Sequence, residues 1–172
     1  MVKGRMNRLL VEIAKGNNKA FEELYYETSK GIYALLFSYL KDYNDTEDVL
    51  QDVFIIVKQK AHLYKKDTDA RAWLFQIAKN KALNALRSKK REKERLDIIE
   101  QDMLSFKSDY KKDSTLFLIM QQVLSEEEYQ IVIKHVLFSY KHKDIAKELN
   151  LPLGTVLSKY QIALSKLRKE LE

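Results

Sequence analysis

The scarcity of turn-forming residues constrains this chain more than any other feature of its sequence. Only 4 glycines and 1 proline occur in 172 residues, whereas a many-stranded sandwich or barrel needs tight turns at short intervals. Apolar residues instead recur at helical spacing, as in Met6, Leu9, Leu10 and Ile13 near the start. We therefore predict an all-α fold.

The amino-acid composition indicates the cellular compartment of the chain. The sequence has no cysteine, which excludes disulfide frameworks and thiol nucleophiles and fits a reducing environment, so we expect a cytoplasmic protein. The longest stretches without a charged residue, 31–40 and 114–125, are much shorter than the roughly 20 apolar residues of a membrane-spanning helix. We expect no membrane span and no signal peptide.

The charges are unevenly distributed along the chain. Residues 71–95 carry nine Lys or Arg against two Glu, and residues 134–172 carry eight Lys or Arg against four acids. Residues 41–55 run the other way, with five acids against one Lys. Two separate basic regions suggest two contacts with one long polyanion, because phosphate neutralisation supplies affinity that is independent of base sequence. The alternative is that these Lys-rich helices are simply solvated.

Two helical domains are predicted from the positions of the breaks. A helix from Ala70 to about Arg95 carries a stripe that passes from apolar residues to Asn80, Asn84 and Arg87, so its second half cannot be core. This helix completes a first domain, residues 1–92. Residues 93–113 lack a sustained apolar period and are predicted to form a flexible linker. The second domain covers residues 114–172.

The second domain has the outline of a helix-turn-helix. Ser125 and Glu128 match a capping box at one helix start. Asn150 suits the left-handed cap that ends a short helix, and Pro152 suits the start of the next. In a helix-turn-helix, the second of the two helices typically enters the DNA major groove.

No pattern in the sequence indicates catalysis. Phosphate-binding loops, dinucleotide fingerprints and nucleophilic triads are absent. His62, His135 and His142 lack a third ligand at helical spacing, so we expect ordinary surface histidines rather than a metal site. We expect no cofactor, no metal, no small-molecule substrate and no enzymatic activity.

Six strings resemble a bacterial extracytoplasmic-function sigma factor, the two-domain minimal form of the sigma subunit of RNA polymerase. Three resemble sigma region two: Phe21-Glu-Glu-Leu-Tyr25, Asp45-Thr-Glu-Asp-Val-Leu-Gln-Asp-Val-Phe54 and Arg71-Ala-Trp-Leu-Phe-Gln-Ile-Ala-Lys-Asn80. Three resemble sigma region four: Leu124-Ser-Glu-Glu-Glu128, Asp144-Ile-Ala-Lys-Glu-Leu149 and Gly154-Thr-Val-Leu-Ser-Lys159. Each string alone is weak evidence for the family, but six strings in the family's order are specific evidence for it. The resemblance implies a region-two helical bundle and a region-four helix-turn-helix joined by the linker.

The resemblance also implies roles for particular residues of the first domain. It places the contact with core RNA polymerase on the acidic helix, at Asp48, Gln51, Asp52 and Phe54. It places recognition of the melted minus-ten element on the basic helix, at Lys79, Asn80, Asn84, Arg87, Lys89, Lys90 and Arg91. Exposed amides can bond base edges and cations can follow the backbone. The loop 62–69 is the family's candidate pocket for an extruded base, and Trp73 beside it reads more readily as core than as a stacking platform.

In the second domain, the resemblance implies recognition of the minus-thirty-five element by the last helix. The implied contact residues are Thr155, Leu157, Ser158, Lys159 and Gln161. Relatives commonly carry Lys or Arg where Leu157 stands, which shifts the expected readout toward Gln161 on adenine and Leu157 on a thymine methyl. The implied partners are core RNA polymerase, promoter DNA and an anti-sigma factor.

Two other classes of function fit parts of the sequence. One is a stand-alone helix-turn-helix regulator that binds duplex DNA without polymerase, and the other is a helical adaptor that binds no nucleic acid. The acidic stretch 45–54 favours the sigma factor, because a simple repressor has no need of it.

Overall fold

The computed structural model of the chain describes residues 3–66, 68–95 and 111–171, and all regular structure in these ranges is helical. The helices follow in this order: α1 (Lys3–Ala14), α2 (Asn18–Leu40), α3 (Tyr43–Lys60), a short 3-10 helix (Ala61–Leu63), α4 (Ala70–Arg95), α5 (Lys111–Val123), α6 (Glu126–Val136), α7 (His142–Leu149) and α8 (Leu153–Leu171). The predicted all-α fold is confirmed. Across the described ranges, none of these helices has both the length and the apolar character needed to cross a bilayer.

The chain divides into two compact units, Met1–Lys107 and Ser108–Glu172. Most of the predicted linker, 93–113, lies outside the described residues. Its two ends are described and are helical, because α4 continues to Arg95 and α5 already begins at Lys111. Residues 93–95 thus belong to α4 and residues 111–113 to α5, and the rest of the linker stays a prediction.

The first unit packs α1, α3 and α4 around α2. Helix α2 begins where the Ala20 N–H donates to the Asn17 side chain at 3.2 Å, the usual way to satisfy a free amide of a first turn. It ends at Lys41, whose φ of 55° is left-handed. Between these ends one side of the helix is fully buried, including Leu24, Ile32 and Leu35. The burial of this central helix fixes which sides of α3 and α4 remain exposed.

The second unit contains the predicted helix-turn-helix in α7 and α8. The capping box forms at the start of α6, where the Glu128 N–H donates to Ser125 Oγ and the Ser125 N–H donates to the Glu128 carboxylate. Helix α7 ends at Asn150 in the left-handed conformation, with φ of 54°. Helix α8 then starts one residue after Pro152. Buried Ile145 and Val156 join the two helices to the core of this unit.

Candidate functional site

Helix α3 presents a narrow exposed crest between two packed edges. Its buried residues, among them Val53 and Val57, face the core of the first unit. On the opposite side the 3.6-residue period brings Asp48, Gln51 and Ile55 into one exposed row. We call these three residues the α3 crest. The crest therefore includes two of the residues that the sequence assigned to polymerase contact, together with Ile55, which it did not.

Phe54 belongs to the core rather than to this crest. It is only 3% exposed, and its ring meets Tyr25 edge-on at 4.7 Å between centroids and Phe21 at 6.3 Å. Such edge-to-face pairs are a favoured packing of buried aromatic rings. The sequence-based choice of Phe54 as a surface contact is thus corrected: the outward side chain is its neighbour Ile55, which is 53% exposed. Only the direction of each side chain around α3 distinguishes the two.

The acidic and basic helices of the first unit lie side by side. Lys81 of α4 pairs with Asp52 of α3 at 2.6 Å, and Lys89 of α4 pairs with Asp45 of α3. The sequence predicted separate acidic and basic faces, whereas these ion pairs neutralise part of both charges along the shared edge. Within the described residues, Asp48 makes no ion pair, so its carboxylate on the crest keeps its full negative charge.

The polar stripe of α4 is exposed along its whole described length. All seven residues assigned to the minus-ten element are exposed: Lys79, Asn80, Asn84, Arg87, Lys89, Lys90 and Arg91. Asn80, Asn84, Arg87 and Arg91 follow one another at steps of four, three and four, which keeps them on one side of the helix. Gln76 donates to Asn80 Oδ1 at 2.8 Å, which leaves the Asn80 amide group as a donor. The stripe can therefore offer amides and cations together to a single strand.

Trp73 packs at the start of α4, beside the segment predicted to hold an extruded base. It is half-buried, and its ring meets that of Tyr64 edge-on at 5.6 Å. The Tyr64 hydroxyl donates to Asn7 Oδ1 of α1 at 2.6 Å. Residue 67 of this segment lies outside the described residues. The Trp73 ring thus has a structural neighbour, and its half-exposed remainder is available to a ligand.

The assigned residues of α8 differ in their accessibility. Leu157 is 44% exposed, and Ser158 and Gln161 are exposed as well. Thr155 is half-buried. Lys159 is half-buried and pairs with Glu127 of α6 at 3.0 Å, so part of its charge is already satisfied before any phosphate is present.

A buried carboxylate holds α8 against α6. Glu128 is 5% exposed, and Lys166 of α8 donates to its two oxygens at 3.0 and 2.7 Å. Burial opposes ionisation of Glu128, but the bonds from Lys166 and from the Ser125 N–H outweigh it, and the pKa of the carboxyl is lowered below its ordinary value. Glu128 therefore serves both the capping box of α6 and the position of α8.

Two of the three histidines are not the surface residues that the sequence suggested. The rings of His135 and His142 stack at 4.1 Å between centroids, and both are half-buried. The expectation of ordinary surface histidines is wrong for this pair and holds only for exposed His62. Among the described residues, no group of three or more ligating side chains could hold a metal ion.

Both units of the chain are similar to known protein families. The family described as Sigma-70 region 2 matches residues 8–92, and the family described as Sigma-70, region 4 matches residues 120–167. Among curated proteins, the chain is 28% identical over 158 residues to the ECF RNA polymerase sigma factor RpoE of Cereibacter sphaeroides, covering 88% of this chain and 86% of the relative. It is 24% identical over 165 residues to the ECF RNA polymerase sigma factor SigX of Bacillus subtilis, covering 90% and 84%.

Solved structures show the same fold. CnrH, solved in complex with the cytosolic domain of CnrY, matches with a TM-score of 0.60 at 20% identity and covers 97% of each chain. The sigma factor RpoE, solved with the anti-sigma factor NepR from Bartonella quintana, matches with a TM-score of 0.59 at 20% identity and covers 89% of this chain and 97% of that chain. The two family matches fall in the two separate units, one on each side of residues 93–113.

Proposed function

The chain belongs to the extracytoplasmic-function family of RNA polymerase sigma factors, and we propose that it divides its work among three surfaces: the α3 crest, the α4 stripe and the exposed face of α8. As a sigma subunit it directs RNA polymerase to promoters. The observation that carries the proposal is that the region-two match contains an exposed crest with an unneutralised carboxylate on α3 and an exposed basic stripe on α4, two neighbouring helices joined by the Asp52–Lys81 ion pair. The stand-alone regulator of the sequence analysis does not account for that pairing.

The α3 crest is the proposed contact with core RNA polymerase. Asp48 supplies a charge without an ion pair among the described residues, Gln51 supplies hydrogen-bonding groups, and Ile55 supplies apolar surface between polar neighbours. An apolar side chain surrounded by polar groups is the usual arrangement of a binding hot spot. Asp52 lies at the edge of this surface and is shared with Lys81, so it contributes to docking and to the fold of the first unit.

The α4 stripe is the proposed contact with the melted minus-ten element. Asn80 and Asn84 are placed to bond the edges of unpaired bases, while Arg87 and Arg91 follow the phosphates of the same strand. The half-exposed ring of Trp73 lies near the start of the stripe, where a base displaced from the duplex could stack. A single strand has both its bases and its backbone accessible, which suits a helix that offers both amides and cations.

The exposed face of α8 is the proposed reader of the minus-thirty-five element in duplex DNA. Leu157, Ser158 and Gln161 are the exposed members of the assigned set, with Gln161 suited to adenine and Leu157 to a thymine methyl. Thr155 and Lys159 are half-buried and reach the DNA only at the margin of this face. Neither DNA contact has to be strong by itself, because binding at one raises the effective concentration at the other.

We infer an anti-sigma partner and a cytoplasmic site of action from the same family membership. The two structural neighbours were solved with the cytosolic domain of CnrY and with the anti-sigma factor NepR. A protein of this kind that masked the α3 crest or the α8 face would keep the sigma factor inactive. The chain itself would perform no covalent chemistry, because its role is to position polymerase on DNA.

The experiment compares two charge reversals of equal size in the first unit. Asp48→Lys changes the α3 crest, whereas the control, Glu22→Lys, changes an exposed carboxylate of α2. Asp52 is avoided because its replacement would also release Lys81. We expect Asp48→Lys to lose comigration with sigma-free core polymerase and transcription from a random promoter library, while Glu22→Lys retains both. Equal loss in both variants, or transcription without polymerase binding, would contradict the proposal.

A further inference from the structure

Three aromatic rings from three different helices meet where the helix-turn-helix joins α6. His135 near the end of α6 stacks on His142 at the start of α7, with centroids 4.1 Å apart and planes 28° apart. Tyr160 of α8 meets both rings edge-on, at 4.9 Å from His135 and 4.8 Å from His142. We call these three residues the ring junction. No other set of ring contacts in the described part of the second unit joins α6, α7 and α8 at one point.

The polar surroundings of the ring junction fit an uncharged imidazole at His142. His135 Nδ1 lies 2.8 Å from the carbonyl oxygen of Tyr140, and because a carbonyl can only accept, this nitrogen carries the proton and donates. His142 Nε2 is buried and has no hydrogen-bond partner within the described residues. A charged His142 would place a second N–H donor and a full charge at this position, with no acceptor to compensate for the lost water.

The charged groups around His142 do not favour its protonation. From α6 it faces His135, and from α8 it faces the uncharged Tyr160. On its own helix, Asp144 is two positions away and so projects to a different side. A cation at the first residue of a helix is also opposed by the free N–H groups there. Burial first, and then the proximity of His135, lower the pKa of His142 below its ordinary value of 6.5.

The neighbouring ion pairs are internally neutralised and do not alter this balance. Lys134 of α6 pairs with Glu148 of α7 at 2.6 Å, and Lys159 of α8 pairs with Glu127 of α6 at 3.0 Å. These bridges connect the same three helices at other points. The ring junction is therefore a place where protonation of His142 changes the charge between α6, α7 and α8.

We propose that the ring junction makes the helix-turn-helix sensitive to pH, holding α8 in place when His142 is neutral and weakening its attachment when His142 takes up a proton. Tyr160 stands between Lys159 and Gln161 in the sequence of α8, so loss of the junction would disturb the helix that the proposed function assigns to the minus-thirty-five element. The effect of pH on the stability of α7 and α8 does not depend on the assignment of α8 to the minus-thirty-five element, whereas the effect of pH on DNA binding rests on that assignment.

The direction of the pH dependence follows from the lowered pKa. Below pH 6.5, His142 is protonated in the unfolded chain but still neutral in the folded unit. The free energy of unfolding therefore decreases as pH falls from 6.5 toward the folded pKa of His142, and it becomes constant below that pKa. One such group changes the opening equilibrium by at most about tenfold per pH unit. Above pH 7 the junction contributes its full stabilisation.

The first measurement uses the full chain and its three histidines. Ring-proton resonances are assigned with His62→Phe, His135→Phe and His142→Phe, and each is followed by NMR from pH 8 to 5. We expect His142 to titrate below 6.5 in the wild type, and its pKa to rise in His135→Phe because the neighbouring charge is removed. Titration of His142 at 6.5 or above in the wild type would overturn the proposal, and this result does not depend on any variant at position 142.

The second measurement follows hydrogen exchange of α7 and α8 amides as protection factors, which remove the intrinsic pH dependence of exchange. We expect protection in the wild type to fall below pH 6.5 by up to about tenfold per pH unit, the same fall in the control His62→Phe, and no such fall in His142→Phe, whose ring can stack but not ionise. An unchanged fall in His142→Phe would overturn the proposal.

A third measurement separates this inference from the proposed function. Polymerase holoenzyme made with each variant is tested for its contact with the minus-thirty-five element at pH 7.5 and 6. We expect the wild type and His62→Phe to contact the element more weakly at pH 6 than at pH 7.5, by no more than the change in the opening of α8, and His142→Phe to show no such change. A fall in protection without any change in this contact would separate the junction from DNA binding and leave its effect on folding intact; a pH-dependent contact without a fall in protection would refute the junction's role.

Discussion

Adjacent residues on α3 provide a sharp test of the division between core and crest. Phe54→Ala removes a ring that is 3% exposed and packs against Tyr25 and Phe21. Replacing a buried Phe by Ala costs about 3–5 kcal/mol through lost burial and the remaining cavity. This is a large fraction of the roughly 5–15 kcal/mol that stabilises a typical domain. We therefore expect Phe54→Ala to destabilise the first unit severely.

Ile55→Ala should leave the stability of the first unit nearly unchanged and weaken polymerase binding instead. The side chain is 53% exposed, so its removal should change the free energy of unfolding by less than about 0.5 kcal/mol, as at other surface sites. About half of the roughly 1.5–3 kcal/mol available from burying an Ile is still unused in the free protein. If polymerase covers the crest, loss of this side chain weakens binding by about 1 kcal/mol, or about fivefold.

Trp73 allows both quantities to be measured on the full chain. It is the only tryptophan and lies in the first unit, so its fluorescence during urea unfolding reports on that unit alone. Affinity for core polymerase is measured by anisotropy of labelled protein, with Phe54→Leu replacing Phe54→Ala so that a folded variant can be compared. The assignment is refuted if Ile55→Ala unfolds as easily as Phe54→Ala, or if Phe54→Leu weakens polymerase binding more than Ile55→Ala does.

Two further predictions concern the second unit. Glu128→Gln removes the negative charge that accepts both hydrogen bonds from Lys166. We expect the free energy of unfolding of the second unit to fall by about 1–3 kcal/mol at pH 7, measured by urea unfolding with amide exchange of that unit as the signal. Because the pKa of Glu128 is lowered in the folded state, the wild type should lose stability as pH falls below the ordinary value of 4.5 and through the folded pKa, whereas the variant should lack this loss. Gln161→Ala should reduce discrimination for one adenine of the minus-thirty-five element by about 1–3 kcal/mol, measured by selection from randomised promoters, and an unchanged preference would count against adenine readout.

Local features of this protein could be predicted from the sequence with little loss. The capping box of Ser125 and Glu128, the left-handed Asn150 and the long helix that starts at Ala70 all appear where the sequence places them. Each depends on residues within a few positions of one another, through backbone hydrogen bonds and the helical period. The order of the helices and the helix-turn-helix follow from the same local rules.

The choice between neighbouring side chains could not be made in this way. The family resemblance places Phe54 in the polymerase contact, but the direction of its side chain depends on where Phe21 and Tyr25 of α2 meet α3. A rotation of 100° about the helix axis separates Phe54 from Ile55. Which of the two is exposed is therefore a property of helix packing and not of composition.

Contacts between residues that are distant in the sequence could not be predicted either. The helical segments, the two-domain order and the separation of acidic from basic segments can be read along the chain, because they depend on near neighbours. The pairing of Asp52 with Lys81 and the stacking of His135 on His142 follow from the tertiary fold alone. Such pairs form when packing of apolar faces brings two helix edges together, and no local pattern encodes which edges will meet.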